Sequence, residues 1–308
     1  MAGLLVASAA AEEGTGPIIT GVDPIAALQR MASATRTVEY EGTLVYLHGH
    51  QLTSLRIAHR IDAGESRESL LALNGPIRAL ARNPRGVTCV LPDAHAISVK
   101  RAPATKGVLR RAALDPERLA PHYLIHPLGE SRVAGRDTDV VGIIPRDNLR
   151  YGYRFYVDRD TGLPLKTDLM DNGATPIEQV MFTDLTIVGD GASAAAAPAE
   201  SESAGSATPA FGPDSTDDGW HFAALPPGFR VIAHEIETGS PEHLMVSDGL
   251  ASVSVYIEPD NGAGLRGAAH MGAINAAGRL LEGHQVTAVG EVPPQTIDAI
   301  LAALHDTP

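Results

Sequence analysis

The strongest constraint on the fold lies between residues 150 and 188, where side-chain polarity alternates with a period of two and tight-turn residues break the pattern twice. Tyr151, Tyr153, Phe155 and Val157 alternate with Gly152, Arg154 and Tyr156. Asp158-Arg159-Asp160-Thr161-Gly162 leads to a second strand through Leu165 and Leu169, and Asp171-Asn172-Gly173 leads to a third through Val180, Phe182, Leu185 and Ile187. A period of two sends alternate side chains to opposite faces of a strand. Connections this short hold no helical crossover, so the three strands form an antiparallel meander. The same alternation recurs upstream, where Leu55, Ile57, His59 and Ile61 interleave with Ser54, Arg56, Ala58 and Arg60 after a turn at His48-Gly49-His50-Gln51. Short apolar runs near 69–73, 87–91 and 95–99 are punctuated by Asn74-Gly75-Pro76, Asn83-Pro84 and Pro92-Asp93. The fold class is therefore α+β and mainly antiparallel β, with a large curved sheet that favours an open, unclosed barrel over a parallel sheet. Asp23-Pro24 supplies an N-cap and a first-turn proline for a short helix, with Ile25, Leu28, Met31 and Ala32 on one face.

Composition divides the rest of the chain. Residues 189–219 are rich in Ala, Ser, Glu and Pro, too poor in buriable surface to order themselves, and read as a flexible linker. A smaller α+β domain follows over 220–308. Its strands are expected near 229–237, 243–247, 251–258 and 285–290. A Gly/Ala-rich stretch covers 262–278, and a terminal helix follows Pro293-Pro294-Gln295-Thr296 with Ile297, Ile300, Leu301 and Leu304 on its apolar face. The large domain occupies 23–188. Residues 1–22 read as the end of a secretory signal, with small-x-small sites at Ala7-Ser8-Ala9 and Ala9-Ala10-Ala11. No apolar run approaches the roughly 18 residues of a membrane span. The net charge of −13 is uneven: residues 1–188 hold 21 basic and 21 acidic side chains, residues 189–308 hold 3 and 16. That asymmetry argues against nucleic acid as a partner of the second half. Cys89, in the run Val87-Thr88-Cys89-Val90-Leu91, reads as a small buried residue.

The sequence offers little for catalysis or cofactors. His122 and His126 have the spacing of a helical metal pair, but prolines 121 and 127 bracket them and neither has an adjoining Glu. There is no nucleophile elbow, Walker lysine loop or dinucleotide fingerprint, and the partial glycine pattern at Gly262-Ala263-Gly264-Leu265-Arg266-Gly267 lacks its strand–helix context. The expectation is a non-enzyme without cofactor or metal. A basic cluster does stand out: Arg78, Arg82, Arg85, Lys100, Arg101, Lys106, Arg110 and Arg111, with Asp93 as the sole acid among them. It reads either as a solvated sheet edge or as a site for anionic lipid head groups, with Arg78, Arg82, Lys100 and Arg101 as the gripping residues.

Two stretches resemble the RseB/MucB family of periplasmic sigma-factor regulators. One is Arg150-Tyr151-Gly152-Tyr153-Arg154-Phe155-Tyr156-Val157-Asp158 with Thr161-Gly162-Leu163-Pro164-Leu165-Lys166, joined by the earlier Leu73-Asn74-Gly75-Pro76. The other comprises Leu225-Pro226-Pro227-Gly228-Phe229, Val246-Ser247-Asp248-Gly249-Leu250-Ala251-Ser252-Val253 and Gly290-Glu291-Val292-Pro293. The resemblance implies a large domain like the lipoprotein carriers LolA and LolB, an unclosed barrel with helices over its mouth. It implies a periplasmic protein that binds the periplasmic region of an RseA/MucA-like transmembrane anti-sigma factor and shields it from proteolysis. Lipopolysaccharide or lipoprotein acyl chains would release the complex, and homo-oligomers are compatible with this role. Within that reading Ser247, Asp248, Gly249, Leu250 and Glu291 are the candidate partner-binding residues. A lipid or lipoprotein carrier is the alternative, though the acidic second domain serves a carrier poorly. An envelope hydrolase would need a nucleophile and base brought together by folding.

Overall fold

The computed structural model describes residues 22–49, 51–62, 65–75, 115–171, 175–188, 219–236, 240–262 and 264–307, together with the backbone of 79–83, 86–90 and 96–99. The large domain opens with α1 (Pro24–Thr37). There follow β1 (Tyr40–His48), β2 (Gln51–Asp62), β3 (Glu65–Ala72), β4 (Ala79–Asn83), β5 (Gly86–Val90) and β6 (Ala96–Val99). After the one-turn α2 (Pro116–Leu119) come β7 (Tyr123–Val133), β8 (Arg136–Pro145), β9 (Gly152–Asp158), β10 (Pro164–Met170) and β11 (Pro176–Ile187). All eleven strands form one sheet in the order β6-β5-β4-β3-β2-β1-β11-β10-β9-β8-β7. Every neighbouring pair is antiparallel, and β6 and β7 end the sheet without pairing to each other, so the barrel is unclosed.

The β9–β10–β11 meander falls where the alternation put it. Gly162 takes φ +79° in the first turn, and a Cβ there would meet the Arg30 carbonyl of α1 at 3.1 Å, so this turn needs glycine for conformation and for space. Asp158 organises the same turn, accepting from the Thr161 amide and hydroxyl while Arg136 grips both its oxygens. Helix α1 starts as expected, with the Asp23 carboxylate accepting from the Ile25 amide. Its buried face is Ala27, Leu28, Met31, Ala34 and Thr35; Ile25 and Ala32 are only half-buried. On β2, Ile57 and His59 point into the core, and His59 stacks on Tyr40 while its Nδ1 lies 2.8 Å from the Val38 carbonyl.

The small domain contains β12 (Gly219–Phe222), β13 (Arg230–Glu235), β14 (Glu242–Ser247), β15 (Ser252–Pro259), β16 (Gly267–Met271), β17 (Ile274–Leu281), β18 (His284–Gly290), α3 (Pro294–Ala303) and β19 (Leu304–Thr307). Six strands form a sheet ordered β13-β14-β15-β18-β17-β16. Helix α3 packs Ile297, Ile300 and Leu301 onto it, against Val253, Val255, Val286 and Ala288. β12 and β19 pair the two ends of the domain, Gly219 opposite Thr307, and bury Trp220 and Leu304. The Gly/Ala-rich stretch 262–278 is largely strand: β16 and the first half of β17 form a hairpin turning at Gly272.

Three expectations fall on residues the structure does not describe: the signal remnant within 1–21, the linker within 189–218, and Cys89, of which only the backbone is placed. His122 and His126 do not share a helix. His122 lies in the turn after α2, His126 is on β7, and no group of three or more His, Cys, Asp or Glu fit to hold a metal exists among the described residues. No described helix is long and apolar enough to cross a membrane.

Candidate functional site

A buried polar network spans the seam between the two domains, and its centre is Arg150. This residue follows a turn in which Asp147 caps the backbone at Leu149 and also accepts from Arg150 Nε at 3.0 Å. The guanidinium is fully buried and reaches across the seam, donating from Nη1 to Asp248 Oδ2 (2.8 Å) and from Nη2 to the Pro227 carbonyl (2.6 Å). It sits between the rings of Tyr123, 5.5 Å away, and Phe229, 5.2 Å away. Asp248 is equally buried and equally engaged. Its Oδ2 also accepts from the Tyr123 hydroxyl at 2.7 Å, and its Oδ1 accepts from the amides of Leu250 and Ala251. Two charges removed from water are tolerated only when every donor and acceptor finds a partner. Arg150 and Asp248 meet that condition only while the domains are together.

Further bonds extend the seam on both sides. Tyr153 donates to Glu291 (2.6 Å), Asn275 to the Tyr151 hydroxyl (3.2 Å), Gln295 to the Asn148 carbonyl (2.6 Å) and Thr296 to the Leu149 carbonyl (2.6 Å). At the far end the Ala273 amide donates to Glu178 of β11. Leu250 and Ala273 of the small domain are buried in a core cluster of the large domain, beside Leu28, Leu119, Tyr153 and Phe155. Three turns of the small domain present positive-φ glycines to large-domain side chains: Gly228 to His122, Gly249 to Leu119, and Gly272 to His48 and Glu178. A Cβ at Gly228 would lie 2.4 Å from the His122 ring, so bare backbone is what lets the two surfaces meet.

The environment shifts the tyrosines. Burial, and then the Asp248 carboxylate, push the Tyr123 hydroxyl far above its ordinary range, with Arg150 opposing. Tyr46 moves the same way through burial, Glu178 and Glu291, and Tyr151 chiefly through burial. All three hydroxyls therefore stay protonated in the folded protein and remain available as donors. The arrangement is that of a clamp: its polar groups are spent on one another.

All five candidate partner-binding residues gather here. Ser247 closes its own turn, donating to the Ala251 carbonyl and accepting from the Gly249 amide. Asp248, Gly249, Leu250 and Glu291 each meet the large domain of the same chain. Of the basic cluster, Arg78, Lys100 and Arg101 lie outside the described residues, and Arg82 is placed only as the backbone partner of Glu68 on β4. Sequence reasoning missed Tyr123, Glu178 and Asn275, and it weighed His122 only as half of a metal pair. The one local signal was Arg150, an arginine heading a tyrosine-rich strand.

Fold and seam together define a class: a two-domain β-rich protein whose charged residues join its domains. Comparison with known proteins makes the class specific. The chain matches the MucB/RseB N-terminal domain over residues 23–202 and the MucB/RseB C-terminal domain over residues 214–305, and it belongs to that family. It is 34% identical to the sigma factor AlgU regulatory protein MucB of Pseudomonas aeruginosa, over 90% of this chain and 89% of that protein. The sigma-E factor regulatory protein RseB of Escherichia coli is 24% identical over 89% and 88%. Among solved structures, MucB in the Pseudomonas aeruginosa MucA/MucB complex aligns with a TM-score of 0.67 at 30% identity, covering 93% of this chain and all of that one.

Proposed function

We propose that this protein is a non-enzymatic periplasmic regulator that binds the periplasmic region of a MucA/RseA-like transmembrane anti-sigma factor. Bound in this way, it protects the anti-sigma factor from proteolysis and releases it when lipid or lipopolysaccharide arrives. The observation that carries the reading is the full two-domain match to a family with a member solved in complex with MucA. The clamp supports it. A chain that devotes a buried ion pair, several cross-domain hydrogen bonds and two tight glycine contacts to holding two domains together is built to present one composite surface. The Ser247–Leu250 turn and Glu291 lie at that seam, and a partner seated along it would engage their rim. Arg78, Arg82, Lys100 and Arg101 remain the proposed grip on anionic head groups.

The test is capture of a purified MucA-like periplasmic fragment by the full chain. Retention of the fragment, together with slower cleavage by an added envelope protease, is expected. Failure to retain it under low and moderate salt would remove the reading. Turnover of an ester, peptide or phosphate substrate, abolished by changing one polar residue, would overturn the non-enzymatic part.

A further inference from the structure

Six of the twelve histidines fall in the small domain, and four of them sit apart from one another or are engaged with other side chains. His234 meets Glu242 at 2.6 Å, His243 stacks on Tyr256, His284 lies against the Trp220 ring, and His270 is on β16 opposite Asn275. His221 and His305 differ, because they are direct cross-strand partners in the β12–β19 pair. Directly opposed residues of an antiparallel pair project from the same face, so two imidazoles share one patch of surface. Both are exposed. Their ring centroids are 6.3 Å apart and the ring planes are tilted by 37°.

The backbone sets the chemistry of the His221 ring. Its Nδ1 lies 3.1 Å from the Gly219 carbonyl oxygen. A carbonyl only accepts, so Nδ1 carries the proton and Nε2 carries the lone pair. A ring nitrogen donating to a backbone carbonyl is the arrangement that orients a metal-binding imidazole. A metal ion held at about 2.0–2.1 Å by one nitrogen of each ring places the centroids roughly 5–6 Å apart. A small rotation of the exposed side chains therefore brings this pair to chelating distance. The surroundings favour a cation, since residues 220–308 carry 3 basic and 10 acidic side chains (3 − 10 = −7). The ligand type selects among cations: imidazole suits late first-row ions, copper(II) above nickel(II) and zinc(II), whereas magnesium and calcium take oxygen ligands.

We propose that His221 and His305 chelate a late first-row divalent metal ion, copper(II) ahead of zinc(II), on the surface of the β12–β19 pair. Solvent completes the coordination, because no third His, Cys, Asp or Glu joins them among the described residues. The ligands are 84 residues apart in the chain (305 − 221 = 84) and meet only when β12 and β19 are paired. The ion therefore stabilises the paired state by mass action. The pair is only four residues long on each strand, so one added cross-link is a large fraction of what holds β19 over Trp220. Binding of the ion and capture of an anti-sigma factor are separate properties, and each can fail without the other.

The experiment is titration of the full chain, without an affinity tag, with copper(II) while tryptophan emission is read. Trp220 is the one tryptophan and adjoins His221, and copper(II) quenches a nearby indole. Quenching of the wild type should follow a one-site isotherm. His221→Gln and His305→Gln should each weaken binding by on the order of tenfold or more. The double variant should bind no more weakly than either single one, since a chelate is lost with its first ligand. His270→Gln, on β16, should behave like the wild type. Excess zinc(II), which does not quench, should raise the thermal midpoint of the wild type by on the order of a few degrees, and magnesium(II) should not. Both substituted histidines are exposed, and a urea midpoint in EDTA close to that of the wild type establishes that each variant is folded. The proposal is overturned if the wild type is not quenched, or if either single variant binds copper(II) as tightly as the wild type. Losses that add in the double variant also overturn it, since the two rings would then act independently. A wild-type thermal midpoint that zinc(II) leaves unmoved overturns it whether or not the variants fold.

Discussion

At the scale of single residues, the seam depends on positions where nothing larger fits. Gly228 combines two demands. Its φ of +84° is one that side chains disfavour, and a methyl group there would strike the His122 ring. Gly228→Ala should therefore lower stability by about 1–2 kcal/mol for the backbone and by about 1–3 kcal/mol more for the overpacking. The two parts separate in a second variant. His122→Ala in the same chain should restore the steric share and leave the backbone share, read as a partial recovery of the urea midpoint. No recovery would mean that His122 can swing aside at no cost. Arg150 shows the complementary limit of reading a sequence. Its identity was plain in the Arg150–Asp158 motif, but its partners Tyr123, Pro227 and Asp248 are 27, 77 and 98 residues away, and no local pattern encodes such a meeting.

At the scale of elements, the legible strands were those whose alternation was unbroken. The β9–β11 meander and β2 appear where period two placed them; β2 buries Ile57 and His59 and leaves Arg56 exposed, while β9 is covered on both faces. The β7–β8 hairpin escaped notice because His126, Pro127 and Gly129 interrupt its pattern. The structure absorbs them with a register shift between Pro127 and Gly129 on the last strand of the sheet, where a missing amide costs least. β16 and β17 escaped for another reason. Gly and Ala have little strand preference of their own, and β17 is a strand because β18 pairs along its length. The β12–β19 pair makes an element-scale prediction possible, because Trp220 is the one tryptophan in the chain and β19 covers it. Deleting residues 304–308 should shift tryptophan emission to the red and lower the thermal midpoint. Unchanged emission would show that Trp220 is buried without β19.

At the scale of the whole molecule, the protonated tyrosines of the seam tie domain association to pH. Each has a folded-state pKa raised above the ordinary 10.0, so each contributes stability that is fully present below pH 10 and lost as pH rises beyond it. For Tyr123 alone the loss is on the order of 1.4 kcal/mol per pH unit above that point. Urea midpoints measured from pH 8 to 11.5 should hold level and then fall, and Tyr123→Phe should make the fall shallower. A fall that begins well below pH 9, or one unaltered by the substitution, would exclude this origin. The charge imbalance between the halves was readable from composition alone. That the halves lock together through a buried ion pair was not, since composition records how many charges there are and nothing about where they meet.

The pairing of Gly219 with Thr307 has a consequence for engineering. The small domain enters and leaves at a single point, so it is a cassette whose two ends form one short strand pair. A circular permutant that joins 307 to 219 through a short loop and opens at the exposed turn near Gly262 keeps every strand neighbour of the six-stranded sheet. The same closure makes the domain transplantable: inserted into a surface loop of an unrelated host, it needs only two attachment points a strand spacing apart, and it carries the Pro227–Gly228 and Asp248–Gly249 turns with it unchanged.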